Sequence, residues 1–302
     1  MKPVCVSVVI PAYNEQGFIE KTLKSLQKQD YKQSFEVIVV DNGSKDQTAE
    51  IAKKHGAVVI CETKKGVQFA RQAGFKAAKG KYIASTDADT VLPQNWLSKM
   101  AKALQKDQNL VAVGGWFHHE SGSFSTRIII NHFSKTAAKL YKNTTQKSVL
   151  SGANFMVKKS AFQKTDGFEE FTSINEDLLL AQKLAKHGEI KTHFKKSWSV
   201  STSHRKWTNG FIKASLPYII NGLAYAFVEK IVVKNLSDSR SEQINTNFRP
   251  KIVLAATAVL FFVFLYIMPV AEVDAKIDPI AKKTQEKIIE DLQEFKNEHF
   301  VH

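Results

Sequence analysis

The sequence predicts an α/β fold, a mostly parallel sheet flanked by helices with a C-terminal transmembrane helix added, and it does so on three observations. Short β-branched runs alternate with helix-spaced stretches from the N-terminus to Gly115. Acidic residues follow several of these runs on what becomes one edge of the sheet. Toward the C-terminus lies an uncharged stretch of roughly twenty residues, the length that crosses a bilayer.

The elements come in order along the chain. "VCVSVVI" (Val4 to Ile10) is a β-branched run, succeeded by the helix-spaced stretch Gly17 to Lys28. "EVIVV" (Glu36 to Val40) and Gln47 to His55 repeat the pair, with Asp46 suited to start the helix. "AVVI" (Ala57 to Ile60) with Val67 to Ala78, and "YIAS" (Tyr82 to Ser85) with Gln94 to Lys106, repeat it again. "LVAVGG" (Leu110 to Gly115) ends the series. Strand, helix, strand repeated this way implies a parallel sheet with right-handed crossovers. Arg127 to Tyr141 has mixed helical spacing, and "GANFMVKKSAF" (Gly152 to Phe162) reads as a strand and a short helix. "NEDLLLAQKLAKHG" (Asn175 to Gly188) reads as an amphipathic helix closed by glycine, and "EIKTHF" and "WSVSTS" as short strands.

Composition narrows the function classes. The 302 residues are 43% hydrophobic and 24% charged, a globular balance, with a formal net charge of +14. Such an excess suits an anionic partner. The lysines form no dense run, and neither zinc-finger spacing nor an RNA-binding aromatic signature occurs, so no nucleic acid is expected. Cys5 and Cys61 lie in strand-like runs and are expected to be buried, reduced thiols. The Val4 to Ile10 run is short and lacks a small-residue cleavage site, so the bulk of the chain is expected in the cytoplasm.

The organisation expected is a catalytic domain over 1–210, an amphipathic membrane-interface helix over 211–234, a polar linker over 235–251, a transmembrane helix over 252–271 and a charged tail over 272–302. The span "IVLAATAVLFFVFLYIMPVA" carries no charge and begins beside Arg249 and Lys251, which favours a cytoplasmic start. The segment before the linker is apolar but holds Lys213, Glu229 and Lys230, as suits a helix lying on a membrane surface.

In parallel sheets of this kind ligands bind outside the carboxyl ends of the strands. There the sequence reads "PAYNE" (Pro11 to Glu15), "DNGSKDQT" (Asp41 to Thr48) and "TDADT" (Thr86 to Thr90). Asp87 and Asp89, one residue apart, would point the same way on extended backbone and repel, so a cation is expected between them. Mg²⁺ or Mn²⁺ arriving with a nucleoside diphosphate fits, because these ions take oxygen ligands and only one or two protein carboxylates. Such an ion would offset charge on a departing diphosphate.

The segments "VSVVIPAYNE", "VIVVDNGSKDQT", "GVQFARQAGFKAAKGKYIASTDADT" and "NEDLLLAQKL" stand in the order and spacing of the family 2 glycosyltransferases, which the chain resembles from about Val6 to His187. The resemblance implies a GT-A type, Rossmann-like fold and transfer of a sugar from a UDP- or GDP-sugar. It also implies roles. Pro11, Tyr13 and Glu15 would receive the nucleotide, with Tyr13 near the base and Glu15 near the ribose. Asp41 would hydrogen-bond the base, and Arg71 would lie near the nucleotide. Asp87 would face the ribose or metal-bound waters, and Asp89 would bind the metal directly. Asp177 would be the catalytic base that takes the acceptor proton. Glu176, on another helix face, would orient the acceptor. A helix start holds a carboxylate pKa low, so strong basicity at Asp177 would require desolvation.

"SHRKW" stands where related enzymes have a loop over the diphosphate: Arg205, Lys206 and Trp207 would hold phosphates, and His204 is a further metal candidate. It departs from the "QxxRW" form of processive synthases, which favours transfer of a single sugar. Trp116 and Gly152 are candidates for the acceptor side, although Trp116 equally suits a core. His118 and His119 lack zinc spacing and fit a surface or loop. The reading is a membrane-anchored, metal-dependent, inverting glycosyltransferase with an anionic membrane surface and a lipid-linked acceptor as plausible partners. The alternatives are a sugar-phosphate nucleotidyltransferase, which would need a glycine-rich phosphate loop where "PAYNEQG" stands, and a non-catalytic membrane scaffold.

Overall fold

A computed structural model describes residues 3–119, 131–132, 134–136, 138–139, 142–143, 148–168 and 176–203. Its strands and helices alternate as β1 (Val6–Ala12), α1 (Ile19–Gln27), β2 (Phe35–Asp41), α2 (Thr48–Lys54), β3 (Val58–Cys61), α3 (Val67–Ala77) and β4 (Tyr82–Ser85). Then come β5 (Thr90–Val91), α4 (Trp96–Lys106), β6 (Leu110–Gly115), β7 (Phe117–His119), β8 (Phe155–Lys158) and α5 (Lys159–Phe162). After α6 (Glu176–Ala185) and β9 (Glu189–His193), a single 3₁₀ turn at Lys196–Trp198 leads into β10 (Val200–Thr202).

A seven-stranded sheet runs in the order β3-β2-β1-β4-β8-β6-β9, and a small sheet runs β5-β10-β7. Pairing in the large sheet is parallel except at β8, which is antiparallel to both β4 and β6. Chain order reverses at β1, whose neighbours are β2 and β4. A crevice at such a reversal is the usual ligand site of an α/β sheet.

Alternation along the central strands builds two cores. On one face Val8, Ile10 and Val39 pack with Ile19, Leu23 and Leu26 of α1 and Leu97, Met100 and Leu104 of α4. On the other, Val9, Ile38 and Val40 meet Ala70 and Phe75 of α3 and Leu180 and Leu184 of α6. Side chains alternate faces along a strand, so a sheet covered on both sides needs runs that are apolar throughout. The sequence has such runs.

The structure departs from the expected fold in several respects. β5 and β7 were not expected; with two and three residues they are too short to show a period. The strand and short helix expected within Gly152 to Phe162 are present as β8 and α5, and only the antiparallel direction of β8 was not foreseen. Neither cysteine is buried: Cys5 is half-buried, with the Tyr31 hydroxyl 3.1 Å from its Sγ, and Cys61 is exposed because β3 is an edge strand. Asp46 does act at the start of α2, its Oδ1 accepting from Thr48 N at 3.0 Å. Among the described residues no helix is long and apolar enough to cross a membrane. The interface helix 211–234, the linker 235–251, the span 252–271 and the tail 272–302 lie outside the described residues, as do His204, Arg205, Lys206 and Trp207.

Candidate active site

The loops after β1 and β2 are stitched together by short polar contacts. Asn14 takes up the left-handed region at φ 55°, which asparagine tolerates, and its Oδ1 accepts from Lys45 N at 2.9 Å. Its own N–H donates to Ser44 Oγ at 3.0 Å, and Glu15 N donates to Thr48 Oγ1 at 2.7 Å. This turn lifts Tyr13 out of the surface, 49% exposed, while Glu15 sinks to 8%. Pro11 stays within β1, paired with Val40. The ribose contact expected of Glu15 is therefore not presented on the rim, because the residue folds in against the start of α2.

Around Tyr13 a flat site takes shape. The Lys65 ammonium lies 4.2 Å from the centre of the Tyr13 ring and donates to Asn42 O at 2.8 Å and Gly43 O at 3.1 Å. Asn42 holds the lysine loop, donating to Glu62 O and Lys64 O and accepting from Gly66 N. Asp41 accepts from Ser44 N at 2.9 Å through Oδ1. An exposed tyrosine face beside a carboxylate and an ammonium offers stacking and both hydrogen-bond polarities to a nucleobase. Lys65 and Asn42 were not singled out in the sequence. The lysine directly before Gly66, the N-cap of α3, is the signal that could have found the first.

The acidic pair does not behave as extended backbone would have it. The chain turns at Ala88 and Asp89, with Thr90 N bonded to Asp87 O, and the two carboxylates part. Asp87 Oδ1 lies 2.6 Å from Arg71 Nη2. Asp89 faces β10, accepting from Thr202 Oγ1 at 3.2 Å and from Ser203 Oγ at 2.5 Å. The cation beside Asp87 is thus an arginine of the same chain. A metal would be left with Asp89 and the two hydroxyls, an all-oxygen set that fits Mg²⁺ or Mn²⁺. Among the described residues no group of three or more His, Cys, Asp or Glu side chains could hold a metal.

Arg71 is the centre of the site. It is 3% exposed on the inner face of α3 and also pairs with Glu176 at the start of α6. Glu176 is itself buried, 6% exposed. This corrects the acceptor-facing role expected of it, since the first turn of α6 packs against Arg71 and leaves that face no solvent. Gly152 completes the enclosure. A Cβ there would stand 2.3 Å from Arg71 Nη2, so only glycine admits the guanidinium. Gly152 O accepts from Ser85 Oγ at 2.8 Å, and Gly152 N donates to Asp177 Oδ2 at 2.6 Å. The glycine therefore serves the carboxylates instead of standing open to an acceptor.

One guanidinium faces three carboxylates, Glu176, Asp87 and Asp177, and the charges cannot all balance. Burial works against the Arg71 charge, but Glu176, then Asp87 and Asp177, more than offset it and raise its pKa. Burial pushes Glu176 up to about 7, with Arg71 pulling it down and Asp177 and Asp87 adding to the rise. Asp177 is also raised, by burial first, against the pull of Arg71 and the N–H groups of Gly152 and Leu178. Desolvation has thus overcome the helix-start effect. Asp177 Oδ1 accepts from Leu178 N at 2.8 Å, so each oxygen takes one N–H and keeps a further lone pair.

Trp116 is 8% exposed, its Nε1 3.3 Å from Ser134 Oγ and its ring stacked on Phe117 at 5.1 Å. The core reading holds, since Trp116 packs among aromatic rings, and it also lines a cavity. His118 and His119 lie on β7 beside it.

The model of a protein family described as Glycosyl transferase family 2 matches residues 7–166. The glycosyltransferase AglE of Haloferax volcanii is 29% identical over 171 residues, covering 54% of this chain and 55% of that protein. An undecaprenyl-phosphate 4-deoxy-4-formamido-L-arabinose transferase of Aeromonas hydrophila is 30% identical over 152 residues, covering 47% of this chain and 44% of that one. The chain spans 20%, 55% and 40% of the length of the first three curated relatives. In fold it is similar to the mannosyltransferase PcManGT of Pyrobaculum calidifontis, solved with GDP-Man and Mn²⁺, at a TM-score of 0.59 and 21% identity over 93% of this chain and 81% of that one.

Proposed function

The chain belongs to glycosyl transferase family 2, and from that membership we propose that it transfers a single sugar, with inversion, from a UDP- or GDP-sugar to an acceptor hydroxyl or phosphate. The observation that carries this reading is the desolvated carboxylate of Asp177, packed beside Arg71 and Asp87 just beyond the end of β4. The base lies against Tyr13, with Asp41 and Lys65 reading its edge. Asp177 takes the proton from the acceptor as it attacks the anomeric carbon, and its raised pKa makes it a stronger base than an exposed aspartate. Arg71 and Glu176 are positioning residues that hold Asp87 and the start of α6 in register. Mg²⁺ or Mn²⁺, held by Asp89 with Thr202 and Ser203, would supply Lewis-acid stabilisation of the leaving diphosphate. The GDP-Man and Mn²⁺ named for PcManGT favour this class of donor and this choice of ion.

Hydrolysis of UDP- and GDP-sugars by the full chain, with and without Mn²⁺, tests the reading. Turnover is expected to need the ion and to fall at least about tenfold in Asp89→Ala, through loss of charge stabilisation on the diphosphate. Metal-independent turnover, or an Asp89→Ala protein as fast as its parent, would refute metal dependence.

The proposed setting is the cell membrane, with a single pass over 252–271, the catalytic domain on the cytoplasmic side and a lipid-linked acceptor. The uncharged stretch and the basic residues before it support this. Deleting residues 249–302 is expected to release the chain from membranes. If the shortened chain still sediments with them, the anchor is the 211–234 segment instead.

A further inference from the structure

A cavity of about 530 Å³ lies beside the small sheet, away from the nucleobase side of the site. Trp116 and Phe117 wall it, and Lys135, Lys139 and Lys196 line it. His118 and His132 also line it, and among the described residues no carboxylate does. The surrounding corner is more basic still. His193, stacked on Trp198 at 3.9 Å, has its pKa lowered by burial and then by Lys191, Lys195, Lys142 and Lys99. Like charges held this close repel, and an anion relieves the repulsion.

The cavity is also tied to the site. His118 and His119 on β7 pair with Ser201 and Thr202 on β10, and Thr202 with Ser203 bonds Asp89. A ligand in the cavity therefore rests on the strand that supports Asp89. Its volume falls in the range of small-molecule sites, enough for a phosphate and the first carbons attached to it. Three lysines lining one cavity select an anion, and the Trp116 and Phe117 rings select an apolar neighbour to it.

We propose that this cavity binds the phosphate end of the acceptor, a phosphate mono- or diester joined to an apolar group. The ligand's role as acceptor rests on the transfer reading; the anion site does not.

Binding of farnesyl phosphate, farnesol and inorganic phosphate to the full chain tests this, in the parent and in a Lys135→Gln/Lys139→Gln/Lys196→Gln variant. Binding of UDP and GDP with Mn²⁺ is measured in parallel. Farnesyl phosphate is expected to bind the parent and to bind the variant at least about tenfold less well, the loss of one charge-assisted contact or more. Nucleotide binding is expected to be unchanged. Farnesyl phosphate binding more tightly than inorganic phosphate supports an apolar group on the ligand, and equal affinities overturn that part of the proposal. The proposal is overturned if farnesyl phosphate binds the parent no better than farnesol, or binds the variant as well as the parent. Should the triple variant lose nucleotide binding too, Lys139→Gln, a single change at an exposed position, decides by the same criterion. A parent that binds farnesyl phosphate but hydrolyses no nucleotide sugar keeps the anion site and loses the transfer reading. A parent that hydrolyses the sugar but ignores the phosphate does the reverse.

Discussion

Asp177→Asn is expected to lower the rate of sugar transfer by about 10²- to 10⁴-fold, the usual worth of a positioned general base, while the affinity for the nucleotide stays as it was. The substitution is nearly isosteric. An asparagine oxygen can still accept from Gly152 N, now 2.6 Å from Asp177 Oδ2, so the backbone at Gly152 keeps its support. The change removes the negative charge that receives the acceptor proton. The pH profile separates this from a structural effect. The base works only when ionised, so the parent rate should rise with pH, with its inflection above the ordinary aspartate range because burial raises the Asp177 pKa. Glu176 titrates beside it, pushed up to about 7, so the inflection belongs to the pair. The residual rate of the variant should lack that rise. Unchanged turnover in Asp177→Asn, or the same pH dependence in both proteins, would move the role to another residue.

Much of this site was legible in the sequence because each strand fixes the position of the residues at its carboxyl end. β4 and β6 have the bounds their apolar runs suggest, and the acid that ends β2 and those after β4 stand on one rim. Where reading along the chain stopped working, the deciding contacts were distant in sequence. Arg71 and Glu176 are 105 residues apart, so a sequence reading that placed Arg71 near the nucleotide held no sign of their buried ion pair. The pair Asp87 and Asp89 misled for a local reason: two-residue periodicity assumes extended backbone, and the turn at Ala88 and Asp89 sends one carboxylate to α3 and the other to β10. Lys65 and Asn42 went unnoticed because their function is set by where the loop before α3 folds back over Gly43, which no local pattern encodes.

Arg71→Met is expected to destabilise the fold by about 3–5 kcal/mol near pH 8, the range for removing one partner of a buried ion pair. Methionine fills similar volume but leaves Glu176, Asp87 and Asp177 facing one another without a cation. The pH dependence gives the cause away. Arg71 lowers the pKa of both Glu176 and Asp177, so its removal raises them further above their unfolded values. An acid whose pKa is raised by folding binds more protons in the folded state, and its stabilising contribution is present below the unfolded pKa and lost as pH rises through the folded one. Stability of the variant should therefore fall more steeply than that of the parent between about pH 5 and 8, as buried carboxyls are forced to ionise. Urea unfolding monitored by tryptophan fluorescence at the two ends of that range measures it. The destabilisation should be markedly smaller at pH 5, where the Glu176 carboxyl is already protonated. An equal loss at both pH values would mean that Arg71 acts through its packing against Gly152, and that the three carboxylates do not depend on its charge.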